Sequence, residues 1–189
     1  MVQKSRTTKE TSIQVAFAPY GSGNSSIDTG IGFFDHMLES FAKHGGFDLE
    51  VHCKGDLHVD QHHSVEDVGI VLGEAFHEAV FPVQNVERFG DSVVVMDETA
   101  ISCALDLSNR PYLVYEIFLD GKIGNFDAEL VEEFMRAFVF NAKITCHLVQ
   151  LRGKNRHHIA EAVFKALAVA CKRALRRTAS GVPSTKGML

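Results

Sequence analysis

One signature occurs twice in the chain. The stretch "VDQHHSVEDVG" covers residues 59–69 and "KNRHHIAEAVF" begins at Lys154, so that His157, His158 and Glu161 repeat His62, His63 and Glu66 at a constant offset of 95 residues. That offset is about half of the 189-residue length. Other stretches line up at closely similar offsets: "ETSI" at 10–13 over "ETAI" at 98–101, and "FFDHMLESF" over "LVEEFMRAF", which matches Phe33 with Leu130 and His36 with Glu133. A duplication this regular restricts the fold to two similar units, about 1–90 and 91–189, packed into one molecule.

Local patterns give each unit the same element order. "TSIQVAFA" alternates as a strand does, "GSGNSS" is a turn-rich break, and a hairpin into "IDTGIGFF" is expected. Phe33, Phe34, Met37, Leu38 and Phe41 fall at helical spacing, "HGG" stops that helix, and "FDLEVHCKG" follows as a strand. Asp60 is placed to cap a second helix over 61–80. In the second half, "DSVVVMDETAISCALDLSNRPYLVYEIFL" supplies strand and hairpin, "AELVEEFMRAFVFNAK" a helix and "ITCHLVQL" a strand, and Asn155 caps a long helix ending near Arg177. The expected class is α+β: a strand-strand-helix-strand-helix unit, doubled, with antiparallel or mixed sheets covered by helices on one side and meeting at their edges.

Bulk properties exclude several partners. Net charge is −5 with scattered basic residues, which leaves no electrostatic footprint for nucleic acid. MVQKSRTTKE is not a secretory leader, and no segment approaches the roughly 20 apolar residues of a membrane span, so a cytoplasmic location is expected. Cys53, Cys103, Cys146 and Cys171 lack paired spacing and read as small buried residues without a disulfide.

The chemistry lies in the histidine helices. Positions four apart share a helix face while neighbours diverge by about 100°. His62 with Glu66, and His157 with Glu161, can therefore grip an ion, while His63 and His158 point to others. Imidazole and carboxylate together suit a divalent transition metal, two per chain. A single histidine pair would read as a capped, solvated turn; a repeated one, with cap and glutamate in register, reads as a ligand set. His36 and Glu133, on the preceding helix of each half, are read as third arms. His147 rivals Glu133, although a cross-strand or outlying role fits both it and His52 better. His44, His58 and His77 have no repeat partner and are assigned no chemistry.

The sequence resembles the imidazoleglycerol-phosphate dehydratases over nearly its whole length. The resemblance rests on "TKET" (8–11), "GIGFFDHML" (30–38), "GDLHVDQHHSVEDVGI" (55–70), "RFG" (88–90), "MDET" (96–99), "SNRPY" (108–112), "NRHHIAEAVFKAL" (155–167) and "VPSTKG" (182–187). Two positions depart from it: the family usually has Asp at Gln61, and some members have His at Glu133. It implies a ribosomal protein S5 domain 2-like fold and a manganese-dependent hydro-lyase of histidine biosynthesis, with two Mn2+ per subunit. The substrate would be imidazole glycerol phosphate and the product imidazole acetol phosphate. The proton to be lost is only weakly acidic, and metal on a ring nitrogen makes the ring an electron sink.

The resemblance also assigns roles. His36, His62, His63, Glu66, Glu133, His157, His158 and Glu161 would hold metal. Glu10 is the first candidate for proton transfer, with Glu66 and Glu161 able to share it; Asp97 and Glu98 are the repeat counterparts of the Glu10 region. Arg88, Arg110, Lys165, Ser184 and Lys186 would bind substrate on its phosphate side. A homo-oligomer is implied, with ligands from adjoining subunits and a metal-dependent shell of 24 chains. Two other readings use the same residues: a dinuclear metal hydrolase, and a scaffold whose ions only join subunits.

Overall fold

The computed structural model describes residues 1–179 and 181–187; the last two positions of the second repeat lie outside the described residues. The first half runs β1 (Val2–Thr7), β2 (Thr11–Ala18), β3 (Ser25–Asp28), α1 (Gly32–Gly45), β4 (Asp48–Gly55) and α2 (His62–Val80). The second runs β5 (Phe89–Met96), β6 (Thr99–Asp106), β7 (Tyr112–Glu116), the short pair β8 (Lys122–Ile123) and β9 (Phe126–Asp127), α3 (Leu130–Ala142), β10 (Thr145–Arg152) and α4 (Arg156–Ala174).

The halves form separate four-stranded sheets of matching order, β1-β2-β4-β3 and β5-β6-β10-β7. In each, the last two strands in that order pair in parallel and the other neighbours are antiparallel. A parallel neighbour requires a crossover, and α1 and α3 supply it. The expected hairpin from β2 into β3 is therefore not formed. The hairpin is β1–β2, turning at Thr8–Glu10, and β1 is the strand that the weakly apolar "VQKSRT" conceals.

Burial alternates along the central strands, as in β4, where Leu49, Val51 and Cys53 are buried between exposed neighbours. Helices cover only the buried face. The two helical layers then pack together, α1 beside α4 and α2 beside α3. Among the described residues, no strand of one four-stranded sheet is hydrogen-bonded to a strand of the other, so the edges do not meet as expected; each sheet already buries its apolar face under its own helices.

Helix α2 approaches α3 through Gly69 and Gly73. A Cβ on Gly69 would lie 2.8 Å from Ala137 Cβ, and one on Gly73 would lie 2.7 Å from the Phe138 carbonyl oxygen. The rising numbers on both helices mean that they run parallel, with their N-terminal turns at the same end. Phenylalanine fills the space between layers: Phe138 meets Phe41 at 5.8 Å and Phe76 at 5.5 Å, and Phe134 meets Phe34 at 5.4 Å between ring centres. Each such ring, fully buried, contributes about 1.5–3 kcal/mol. All four cysteines are buried thiols. Among the described residues, no helix is long and apolar enough to cross a membrane.

Candidate metal centre and active site

Asn155 begins the better-defined centre. Its side-chain oxygen accepts hydrogen bonds from the backbone N–H groups of His157 (3.0 Å) and His158 (3.3 Å), which fixes the first turn of α4. His157 and Glu161 then stack four residues apart, Nε2 to Oε2 at 3.1 Å. From α1, His36 brings its Nε2 to 3.5 Å from the same carboxylate oxygen. One ligand atom each from His36, His157 and Glu161 lies within 4.8 Å of the others.

This set crosses the duplication. His36 belongs to the first half but joins the second-half pair, because α1 packs along α4; the expectation that each third arm serves its own half is corrected here. Glu161 is buried, and its second oxygen meets Lys165 Nζ at 2.7 Å. Burial opposes charge on Glu161, but the Lys165 bond and charge, with the bond to His157 and the charge of His36, prevail and hold the carboxyl below its usual range.

The first-half centre is more open. Helix α2 starts at His62 with Gln61 at the cap position; Asp60, expected as the cap, stands one residue earlier and accepts from the His62 N–H at 2.8 Å. His62 Nε2 and Glu66 Oε2 are 3.7 Å apart, and both side chains are nearly half exposed. By the parallel register of α2 and α3, Glu133 stands level with this turn, and its carboxylate makes no hydrogen bond or ion pair among the described residues. It is thus associated with the first-half helix. His147 belongs to neither centre: it lies between the buried Cys146 and Leu148 on β10 and so points to the sheet's opposite face. His52 is on the equivalent outer face of β4, which removes both from an outlying role at the ligands.

The second histidine of each pair faces a different carboxylate set. His63 Nδ1 donates to Asp56 at 3.0 Å and its Nε2 lies 3.9 Å from Glu10 Oε1. The bond to Asp56 is the main reason its pKa is raised. His158 Nδ1 donates to Glu98 at 2.8 Å, and its Nε2 lies 3.7 Å from Asp97 Oδ2. The His158 bond, then the Asn155 and Lys154 amides, hold the Glu98 carboxyl far below its usual range. Asp56 is missing from the sequence-based set because no repeat partner marks it.

A cavity of about 480 Å³ adjoins the second-half triad, lined by Gly30, Phe33, Gln61, Asn125, Phe126 and His157. Its size suits a small molecule. The Phe33 ring meets that of His157 edge-on at 5.2 Å. Gln61 Oε1, at a position singled out above only for its departure from the family, is buried with no hydrogen-bond partner among the described residues.

Most of the cationic residues assigned to the substrate lie at the other end of the helices. Arg88 forks onto Asp106 at 2.7 and 3.0 Å, donates to the Pro183 carbonyl, and its backbone N–H bonds to Ala174 at the C-terminus of α4. Arg110 Nη2 is 4.0 Å from the same Asp106, and the Lys186 N–H donates to Ser184 Oγ in the segment that Arg88 holds. Ala174 is seventeen residues beyond His157, about 25 Å along the helix at 1.5 Å per residue. Asn109, beside Arg110, is bonded to His77, fifteen residues or about 22 Å beyond His62. Lys165 is the exception: its bond to Glu161 puts it at the metal end, away from the other four.

Known proteins match this architecture. The family model for imidazoleglycerol-phosphate dehydratase matches residues 29–171. Enzymes of that name from a Nitratiruptor species and from Sulfurimonas denitrificans are 69% and 64% identical, each over 100% of both chains. Crystal structures of imidazoleglycerol-phosphate dehydratase superpose with a TM-score of 0.83 for Staphylococcus aureus (40% identity, covering 94% of this chain and 99% of that one) and 0.84 for Pyrococcus furiosus (37%, covering 98% and 99%). With two sheets of matching order, a histidine pair opening a helix in each half and full-length similarity all in agreement, the chain belongs to the imidazoleglycerol-phosphate dehydratase family of enzymes.

Proposed function

We propose that this chain dehydrates imidazole glycerol phosphate to imidazole acetol phosphate, in histidine biosynthesis, with Mn2+ held at the starts of α2 and α4. The reading rests most on the convergence of His36, His157 and Glu161, one buried carboxylate between two imidazoles. That donor set suits a divalent first-row ion. His62, His63, Glu66, Glu133 and His158 would complete two sites per chain. When bound, the metal supplies Lewis acidity to the substrate's imidazole ring.

The chain's own groups would supply positioning and proton transfer. Glu10 is well placed as the shuttle: it stands beside His63 Nε2, half exposed, and no hydrogen bond among the described residues ties its carboxylate. A carboxylate that is not locked can take a proton and return it. Glu161 is a poorer base, since Lys165 and two histidines stabilise its charge; Glu66 is the more available second choice. Phe33 and Gln61 would border the heterocycle.

Distance supports assembly. A metal centre and an Arg88–Arg110–Ser184–Lys186 cluster separated by the length of a helix cannot hold one small phosphorylated molecule within one chain. A neighbouring copy would bring its cationic end to the metal end of the first. Exposed Phe89, Val93 and Val95 on edge strand β5 offer apolar surface for such contacts, and a closed shell of 24 chains in the cytoplasm is the form we propose.

The test is to incubate purified protein with imidazole glycerol phosphate, first with Mn2+ and then after chelation, and to assay the keto product. Product formed with Mn2+ and lost on chelation is expected. Absence of Mn2+-dependent product would end the dehydratase reading.

A further inference from the structure

The loops entering the two histidine helices differ in length. Six residues, 56–61, separate β4 from α2, whereas three, 153–155, separate β10 from α4. The first residue past the strand is Asp56 in one half and Gly153 in the other. Gly153 has φ +139°, and a Cβ there would fall 2.5 Å from Thr99 Oγ1, so the short loop has no room for a carboxylate at that place.

The β-hairpin glutamates differ in the complementary way. Glu98 accepts four hydrogen bonds: Oε1 takes the N–H groups of Lys154 (3.0 Å) and Asn155 (2.8 Å) and the Thr99 hydroxyl (3.0 Å), and Oε2 takes His158 Nδ1 (2.8 Å). Its counterpart Glu10 has none of these; the hydroxyl of Thr8 accepts the backbone N–H groups of Glu10 and Thr11 instead. In the first half the histidine Nδ1 donates to Asp56, whose carboxylate makes no other hydrogen bond among the described residues.

We infer that Asp56 and Glu98, from unrelated places in the repeat, are the positioning residues for His63 and His158, and that this exchange is what leaves Glu10 untied while its counterpart is not. A carboxylate on Nδ1 keeps the proton there and turns a bare Nε2 outward. Both rings are thereby set in the tautomer able to ligate through Nε2. The assignment of Nε2 to metal rests on the reading proposed above; the tautomer does not depend on it.

The test has two readouts on the full chain. Nitrogen-15 NMR of the imidazoles in metal-free protein reports the tautomer, and Mn2+ titration by electron paramagnetic resonance reports affinity. Glu98→Gln should move His158 from its Nδ1–H form and weaken one class of Mn2+ sites about 10- to 100-fold, the effect usual for an outer carboxylate. Asp56→Asn should do the same to His63 alone, and since the Asp56 carboxylate, unlike that of Glu98, bonds to no backbone group among the described residues, it serves even if Glu98→Gln disturbs the loop. Glu98→Asp should restore part of the loss. Glu10→Gln should move neither readout. Native rings lacking the Nδ1–H form, or unchanged tautomers in both variants, would overturn the inference. Native protein that binds no Mn2+ would instead overturn the metal reading, leaving the tautomer result to judge this one.

Discussion

The second-half centre is closed and the first-half centre is open, although one signature encodes both. Glu161 is buried between Lys165 and two histidines, with His157 at 3.1 Å; Glu66 is half exposed, with His62 at 3.7 Å as the only partner of its side chain among the described residues. The difference teaches that the signature fixes which side chains share a helix face, while the neighbouring helix decides whether they meet as a site. α1 delivers His36 to α4, whereas α3 delivers Glu133 only to the level of α2.

The largest expected contrast is between the two hairpin glutamates. Glu10→Gln should lower kcat about 10²- to 10⁴-fold, the usual contribution of a general acid–base group, with Mn2+ content unchanged. Steady-state kinetics beside metal analysis checks this; retained turnover would remove Glu10 from proton transfer, and lost metal would make it a ligand. Next comes the carboxylate pair within the helices. Glu161→Ala strands Lys165 in a largely buried site and should destabilise the metal-free protein by about 3–5 kcal/mol, against about 0–1 kcal/mol for Glu66→Ala, measured by urea unfolding. Equal costs would break the comparison.

Smaller effects should appear at the caps and in pH. Asn155→Ala removes a side chain bonded to two backbone amides and should cost about 1 kcal/mol; Gln61→Ala, which removes no cap bond, should cost less. In metal-free protein the two positioning bonds should respond to pH with opposite sign. The raised pKa of His63 means that the extra stability of its charged form beside Asp56 is fully present below its ordinary value of 6.5 and is lost as pH rises through the folded value, while the neutral ring keeps its Nδ1–H bond. The depressed carboxyl of Glu98 means that its bonds stabilise above its ordinary value of 4.5 and are lost on acidification. The stability gap between native and Asp56→Asn should therefore narrow upward in pH, and that for Glu98→Gln downward, as thermal melts would record.

The duplication made much of this legible. Helical spacing put His62 with Glu66 and His157 with Glu161, and Asn155 announced its helix. Four things are hidden, each for a physical reason. "VQKSRT" shows little alternation because β1 is an edge strand with mostly exposed side chains, so the pattern alone points to a hairpin one strand later than the real one. A repeat reports what each half contains but not which half it packs against, so the crossing of His36 to α4 could not be read. Repeat logic is also blind where the halves diverge, and Asp56 has only Gly153 opposite it. The wide separation of Arg88 and Arg110 from the histidines is likewise a consequence of helix direction, which no motif carries.

The most direct test of the account is anomalous diffraction at the manganese edge, from crystals grown with Mn2+. The account predicts two peaks per chain, one at the start of α4 among His36, His157 and Glu161, the other at the start of α2 beside His62 and Glu66, each facing Arg88 and Arg110 of a neighbouring copy. Peaks absent from both helix starts, or present with no neighbour's arginines in reach, would contradict it.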